Sequence, residues 1–172
     1  RVEVTVPQGV HVAIGTTSGR IQARGQLGDT AITSVSGRVS VEHATSVDVR
    51  SGSGRVEVGA VDGMCRVRAD NGRVSVDRAG SADLATGSGR IEVGSVAGPV
   101  RAHSVSGRVT VGLSRAAEVD AETISGRIEV RLPRGVVATV DRGDGAPGAE
   151  PADCHVRAAS VSGRVDVVGA ER

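Results

Sequence analysis

Apolar and polar residues alternate along this chain in short bursts, and the bursts return at an almost fixed interval. Ser88 to Val93, Ser-Gly-Arg-Ile-Glu-Val, shows the unit: a small polar residue, a glycine, an arginine, then an inward, an outward and an inward position. The glycine recurs as Gly19, Gly37, Gly54, Gly72, Gly89, Gly107, Gly126, Gly145 and Gly163, at intervals of 17 to 19 residues. Two and four positions after it stand apolar residues, such as Val39 and Val41 or Ile91 and Val93. Seven and five positions before it stand a second apolar pair, such as Val47 and Val49, Cys65 and Val67, or Ala82 and Leu84. Period two with one apolar face is a half-buried strand. A short coil cannot bury its apolar face alone, so a repeat near 18 residues without helical periodicity predicts coils that stack on one another. The expected fold is an all-β, single-domain parallel β-solenoid (β-helix) over residues 1–172, with about nine coils of roughly 18 residues. At about 4.8 Å per rung that is a rod roughly 43 Å long.

Gly59-Ala60, Ala79-Gly80, Gly94, Ala97-Gly98 and Gly112 supply permissive backbone at one bend of each coil, and the marker glycines supply it at the other. The alternation leaves two-sided and three-sided coils equally open. One coil is disturbed. After Gly145, Pro147 stands where an apolar strand should begin, and proline removes a ladder hydrogen bond. Residues 146–153 therefore read as a loop interrupting one rung, with Val156 to Val168 resuming the pattern.

Composition narrows the chemistry. There is no Phe, Tyr or Trp, so Val, Ala, Ile and a few Leu must fill a thin core. The same absence removes the aromatic platforms on which bases and sugars stack. Every basic residue is Arg, and 21 basic against 20 acidic residues leave a formal charge of +1, too small to steer the rod as a whole towards nucleic acid or an anionic membrane. No run of 18 apolar residues predicts a membrane span, and no secretory signal pattern is present. Arg1 falls inside a strand-like segment with no initiating Met, which reads as a piece of a longer chain. Cys65 and Cys154 fall in coils five rungs apart, roughly 24 Å, far beyond the ~7 Å between Cα atoms that a disulfide tolerates. Cys65 sits in an apolar column and reads as a small buried hydrophobe.

Ser36-Gly37-Arg38-Val39, Ser106-Gly107-Arg108-Val109, Ser125-Gly126-Arg127-Ile128 and Leu132-Pro133-Arg134-Gly135 resemble the units and the Leu-Pro-x-Gly turn of a bacterial adhesin-type family of domains of unknown function, called toast-rack-like. The resemblance covers nearly the whole chain. It implies a bacterial β-solenoid module in a membrane-bound or envelope-associated setting, with no established activity or cofactor. This chain has Arg where the family more often carries an acidic or amide residue after the glycine. A more distant likeness to bactofilin-type filament formers is architectural only.

Candidate chemistry lies in columns. Arg20, Arg38, Arg55, Arg73, Arg90, Arg108, Arg127 and Arg164 follow the marker glycines and are interrupted only beside Gly145. An anionic polymer laid along the rod would neutralise such a stack; Glu57, Glu92, Glu129 and Asp166, two residues further on, offer ordinary local pairing instead. Serines before the glycines, such as Ser36 and Ser106, read as a turn ladder. His11, His43, His103 and His155 share no metal-ligand spacing with each other or with the cysteines, and none joins a regular Ser and Asp constellation. Asp48, Asp83 and Asp120 share an outward column with Arg66 and Arg101, which reads as charge compensation. Arg142-Gly143-Asp144 matches a cell-attachment tripeptide that chance explains in a chain this rich in those residues. No catalytic residue, cofactor or metal is expected. The leading expectation is a non-enzymatic structural or protein-interaction module, acting through its ends or faces. An anionic-polymer binder using the arginine column comes second, and a polysaccharide hydrolase or lyase on a β-helix third.

Overall fold

A computed structural model describes residues 2–4, 7, 9–134, 138–141, 154–162 and 164–169. Marker glycines 145 and 163, the tripeptide at 142–144 and the loop expected at 146–153 lie outside the described residues. The described chain is all-β and solenoid-like. Its strands are β1 (Val2–Val4), β2 (Val12–Val96), β3 (Val100–Leu113), β4 (Val119–Leu132), β5 (Ala138–Asp141), β6 (Cys154–Ser160) and β7 (Arg164–Gly169). All pairings between them are parallel. The expected set of about nine regular coils is therefore not divided into nine segments; β2 alone runs through 85 residues of extended chain.

Stacking within and beyond β2 follows from the repeat. A Cβ added to Gly37, Gly54, Gly72 or Gly89 would run into the carbonyl oxygen of the preceding marker glycine, so each marker lies directly over the one before it. The first five markers also hold φ between +132° and +158°, a region open to glycine and closed to most side chains. Further round the coil, Thr45 Oγ1 donates to Leu27 O at 3.4 Å across 18 residues. From β2 onward the ladder carries the repeat forward, with one register shift between Val93 and Val96: Leu84 pairs with Ala102, Ala102 with Ala121, Ile91 with Val109, and Val109 with Ile128.

The two apolar pairs read from the sequence line the core. Val39, Val41, Val56, Val58, Ile91, Val109 and Ile128 are buried on the strand after the glycine, and Val49, Cys65, Val67, Leu84, Ala102 and Ala121 on the strand before it. Each fully buried Val, Ile or Leu contributes roughly 1.5 to 3 kcal/mol. A third inward line joins them at Leu27, Ala44, Val61, Ala79, Val96, Leu113 and Leu132, so the coil has a third inward-facing stretch between the two bends.

The far end departs from the expected order. β6 does not follow β5 up the rod; it pairs with β4, Val119 to Val156 and Ala121 to Ala158, while β7 pairs with the second half of β4, Ile128 to Val165 and Val130 to Val167. β5 lies outside β6, with Ala138 against Cys154 and Val140 against Val156. The strand order is thus β4-β6-β5, against a chain order of β4, β5, β6. The physical reason is in the sequences that compete for the edge of β4. Residues 154–169 offer both halves of a rung, with apolar residues at each inward position, whereas the segment after β5 puts Pro147 where a strand must donate to the ladder. The complete rung takes the long edge and the half-rung takes the outside.

Candidate functional site

The marker bend carries a shallow groove lined by glycine and arginine. Its floor is the column of stacked glycines, which from Gly37 to Gly126 can grow no side chain without striking the carbonyl below. Its bank is the arginine column. Gly19, Arg20, Gly37, Arg38, Gly54, Arg55 and Arg73 line a depression of about 610 Å³. Arg73, Arg90, Arg108, Arg127 and Arg164, with the glycines from 72 to 126, line a second of about 640 Å³. Arg73 belongs to both, so the two form one groove along the rod. The small polar column before each glycine, Ser18, Ser36, Ser53, Asn71, Ser88, Ser106, Ser125 and Ser162, is exposed but lines neither depression.

The end rearrangement changes this column. The sequence places a gap between Arg127 and Arg164, yet the two are direct partners across β4 and β7. Ser125 and Ser162 Oγ atoms stand 3.1 Å apart across the same join. All eight arginines therefore occupy consecutive rungs. Compensation is sparse: Arg55 reaches Glu57 at 3.8 Å and Arg90 reaches Glu92 at 3.7 Å, both exposed pairs. Glu129, a candidate partner of Arg127, instead accepts from Arg131 at 2.8 Å. Among the described residues, Arg20, Arg38, Arg73, Arg108, Arg127 and Arg164 make no ion pair or hydrogen bond.

The family profile described as Toastrack DUF4097 matches residues 1–167. The chain belongs to the Toastrack DUF4097 family. Comparison with curated proteins and with solved structures finds no match.

Elsewhere on this Toastrack domain the polar groups pair between neighbouring rungs. His11 Nδ1 meets Asp29 at 3.2 Å, His43 Nε2 meets Asp62 at 3.1 Å, and His103 Nδ1 meets Glu122 at 3.1 Å. Each partner lies 18 or 19 residues on, so these histidines sit on three different stretches of the rod and do not converge. No group of three or more His, Cys, Asp or Glu among the described residues could hold a metal ion. No described helix is long and apolar enough to cross a membrane. The column six positions before the glycine alternates as read: Arg66 Nε bonds Asp83 at 3.3 Å, and the register sets Asp83 beside Arg101, Arg101 beside Asp120, and Asp120 beside Arg157.

Cys65 is fully buried, unpaired and surrounded by the core, and burial pushes its thiol up to about 12 from an ordinary 9.0. The side chain of Cys154 is outside the described residues, but β6 stacks on β4, so the two cysteines are four rungs apart instead of five, still roughly 19 Å.

Two features went unread in the sequence. Three positions before the glycine, Ser34, Ser51, Thr86, Ser104 and Thr123 form a buried hydroxyl column under the bend. The signal lies in the sequence, because that position is Ser or Thr in most coils, but a hydroxyl residue type leaves no mark in the alternation of apolar and polar positions. One place further on, Val105, Ile124 and Val161 are exposed on successive rungs and wall a shallow trough of about 670 Å³.

Proposed function

We propose that this Toastrack chain is one domain, a β-solenoid of about nine coils that acts without catalysis as a rigid structural and protein-interaction module. The observation that carries this reading is the repetition of outward side chains in fixed columns on successive rungs, over a closed apolar core. Such a surface offers many equal contacts along its length, which suits binding and assembly. Catalysis needs unlike groups converging on one cleft. Among the described residues, His11, His43 and His103 are spread over separate rungs and each engages a carboxylate, which supports the non-catalytic reading over a β-helix hydrolase or lyase. Contacts would be made through the faces, with a protein partner, or through the ends, where strand edges invite self-association.

Sedimentation velocity over a concentration series, with solution scattering and a turnover screen on acidic and neutral polysaccharides, tests the proposal. The expected result is an elongated particle of constant cross-section with no release of reducing ends. Growth into long species would assign the contacts to the ends, and a monomer would assign them to the faces. Turnover that follows the purified protein would overturn the non-enzymatic reading. A second reading, an anionic polymer on the arginine column, is favoured by the direct stacking of Arg164 on Arg127, which leaves that column unbroken.

A further inference from the structure

We propose that the glycine-floored arginine groove is a binding site for a linear phosphate polymer that carries no bases or sugar rings, a polyphosphate-type chain lying along the rod. The proposal deepens the reading of the domain as an interaction module and depends on it. Three properties of the groove point to this ligand class.

The charge is one-signed and continuous. Eight guanidinium groups follow one another at about 4.8 Å per rung, and six of them have no partner among the described residues. A single small anion would satisfy one or two of these; only an extended one neutralises the row. Guanidinium groups bind phosphate oxygens in a bidentate fork, and a flexible chain can adjust its repeats to the rung spacing.

The floor is bare backbone. Because the stacked glycines carry no side chain, a slender chain can lie against the backbone beside the arginine bank, with glycine and arginine as its lining. A double helix is stiff, and its strands set phosphates about 3.4 Å apart along the axis, out of step with the rungs.

Nothing in the chain recognises rings. Proteins that hold single-stranded nucleic acid stack bases on aromatic side chains, and this sequence has none. Selectivity is therefore left to phosphate and guanidinium chemistry.

The test is titration of the intact protein with fluorescently labelled linear inorganic polyphosphate of several lengths, read by anisotropy over a salt series. Polygalacturonate, oligothymidylate and orthophosphate serve as comparators. Affinity is expected to rise with chain length until the polymer spans the groove. The slope of log affinity against log salt should lie near −4 to −6, at ~0.7 per engaged arginine. Replacing Arg55, Arg73, Arg90 and Arg108 together by Ala should cut that slope by about 3 and the affinity by ~100-fold or more. This variant relieves like-charge repulsion, so folding is retained, and circular dichroism checks it. A control with Arg66, Arg101, Arg131 and Arg157 replaced by Ala removes equal charge elsewhere and should bind as the parent does.

Equal loss in the control would overturn the assignment to the groove. Equal affinity for oligothymidylate or polygalacturonate at matched charge would overturn the ring-free phosphate ligand, and orthophosphate competing as well as the polymer would overturn its linear character. No binding at low salt would overturn the site altogether. In each case the scattering and turnover results judge the interaction-module reading separately.

Discussion

Two columns of charge climb this rod on either side of the marker glycines, and they obey opposite rules. The column before the bend runs Asp48, Arg66, Asp83, Arg101, Asp120, Arg157, changing sign at every rung, so that opposite charges neighbour one another about 4.8 Å apart and Arg66 reaches Asp83 at 3.3 Å. The column after the bend repeats Arg on eight rungs, with two ion pairs to residues further along the same strands. On the proposed reading, the comparison separates scaffold from site. Alternation closes a surface on itself at ~0.2 to 1 kcal/mol per pair. Repetition of one sign keeps a surface open, at the cost of repulsion that water and salt soften.

The largest expected effect isolates the interior beneath both columns. The chain has no Lys and no Tyr, so its thiols are the side chains that an alkaline titration addresses. Only thiols titrate between pH 9 and 12 among the side chains. The Cys65 thiol is held neutral in the fold up to about 12, while in the unfolded chain it ionises near its ordinary 9.0. The unfolded state thus binds fewer protons through this window, and stability must fall as pH rises through it. Below pH 8 the thiol should leave stability flat; by pH 12 the loss should approach ~4 kcal/mol. Urea unfolding at stepped pH measures this. Cys65→Ala should lower the plateau yet flatten the alkaline limb, and a limb that survives it unchanged would show that the Cys65 thiol is not its cause.

Breaking the floor between the columns should come next in size. Gly72 has φ +147°, and a Cβ there would meet the carbonyl oxygen of Gly54. Gly72→Ala should destabilise by roughly 3 kcal/mol, combining backbone strain with overpacking. Gly15 has open space around its Cβ position and no strained φ, so Gly15→Ala should stay within about 0.5 kcal/mol. Equal losses from the two in thermal unfolding would deny the marker glycines their special role.

Legibility in the sequence followed the same division. Period-two alternation placed Val39, Val56, Leu84 and Val109 inside the rod, because burial of an apolar face leaves a direct mark on residue type. The third inward line, from Leu27 to Leu132, was missed because it lies where bends of variable length break the alternation. The arginine column was legible residue by residue, but its continuity was not. Sequence order puts residues 138–153 between Arg127 and Arg164, and the exchange of β5 and β6 depends on which segment can complete a full ladder on β4. Both charge columns carried a clue: each skips that segment and resumes in phase, at Arg157 after Asp120 and at Arg164 after Arg127.

Smaller effects should separate the two columns by sign. Asp83 stands between Arg66 and Arg101, so Asp83→Arg would replace two attractive neighbours by two repulsive ones. A loss of about 1 kcal/mol is expected, largest at low salt and shrinking as salt is added. An unchanged urea midpoint would mean that the alternation contributes nothing to the fold.

The smallest expected effect has the opposite direction and is the most diagnostic. Arg108 lies between Arg90 and Arg127 in register, and Thr110, two residues on, offers no acidic partner. Arg108→Glu would therefore convert two like-charge contacts into two opposite ones without abandoning an existing ion pair. Stability should rise by ~0.5 kcal/mol at low salt, with the gain fading at high salt. The same substitution places a carboxylate in the middle of the groove, so polyphosphate binding should weaken as the fold strengthens. A variant that gains stability and loses ligand would show that the arginine column is kept against the interest of the scaffold. If Arg108→Glu instead destabilised the fold at every salt concentration, the arginines would be structural and the groove would lose its claim to a ligand.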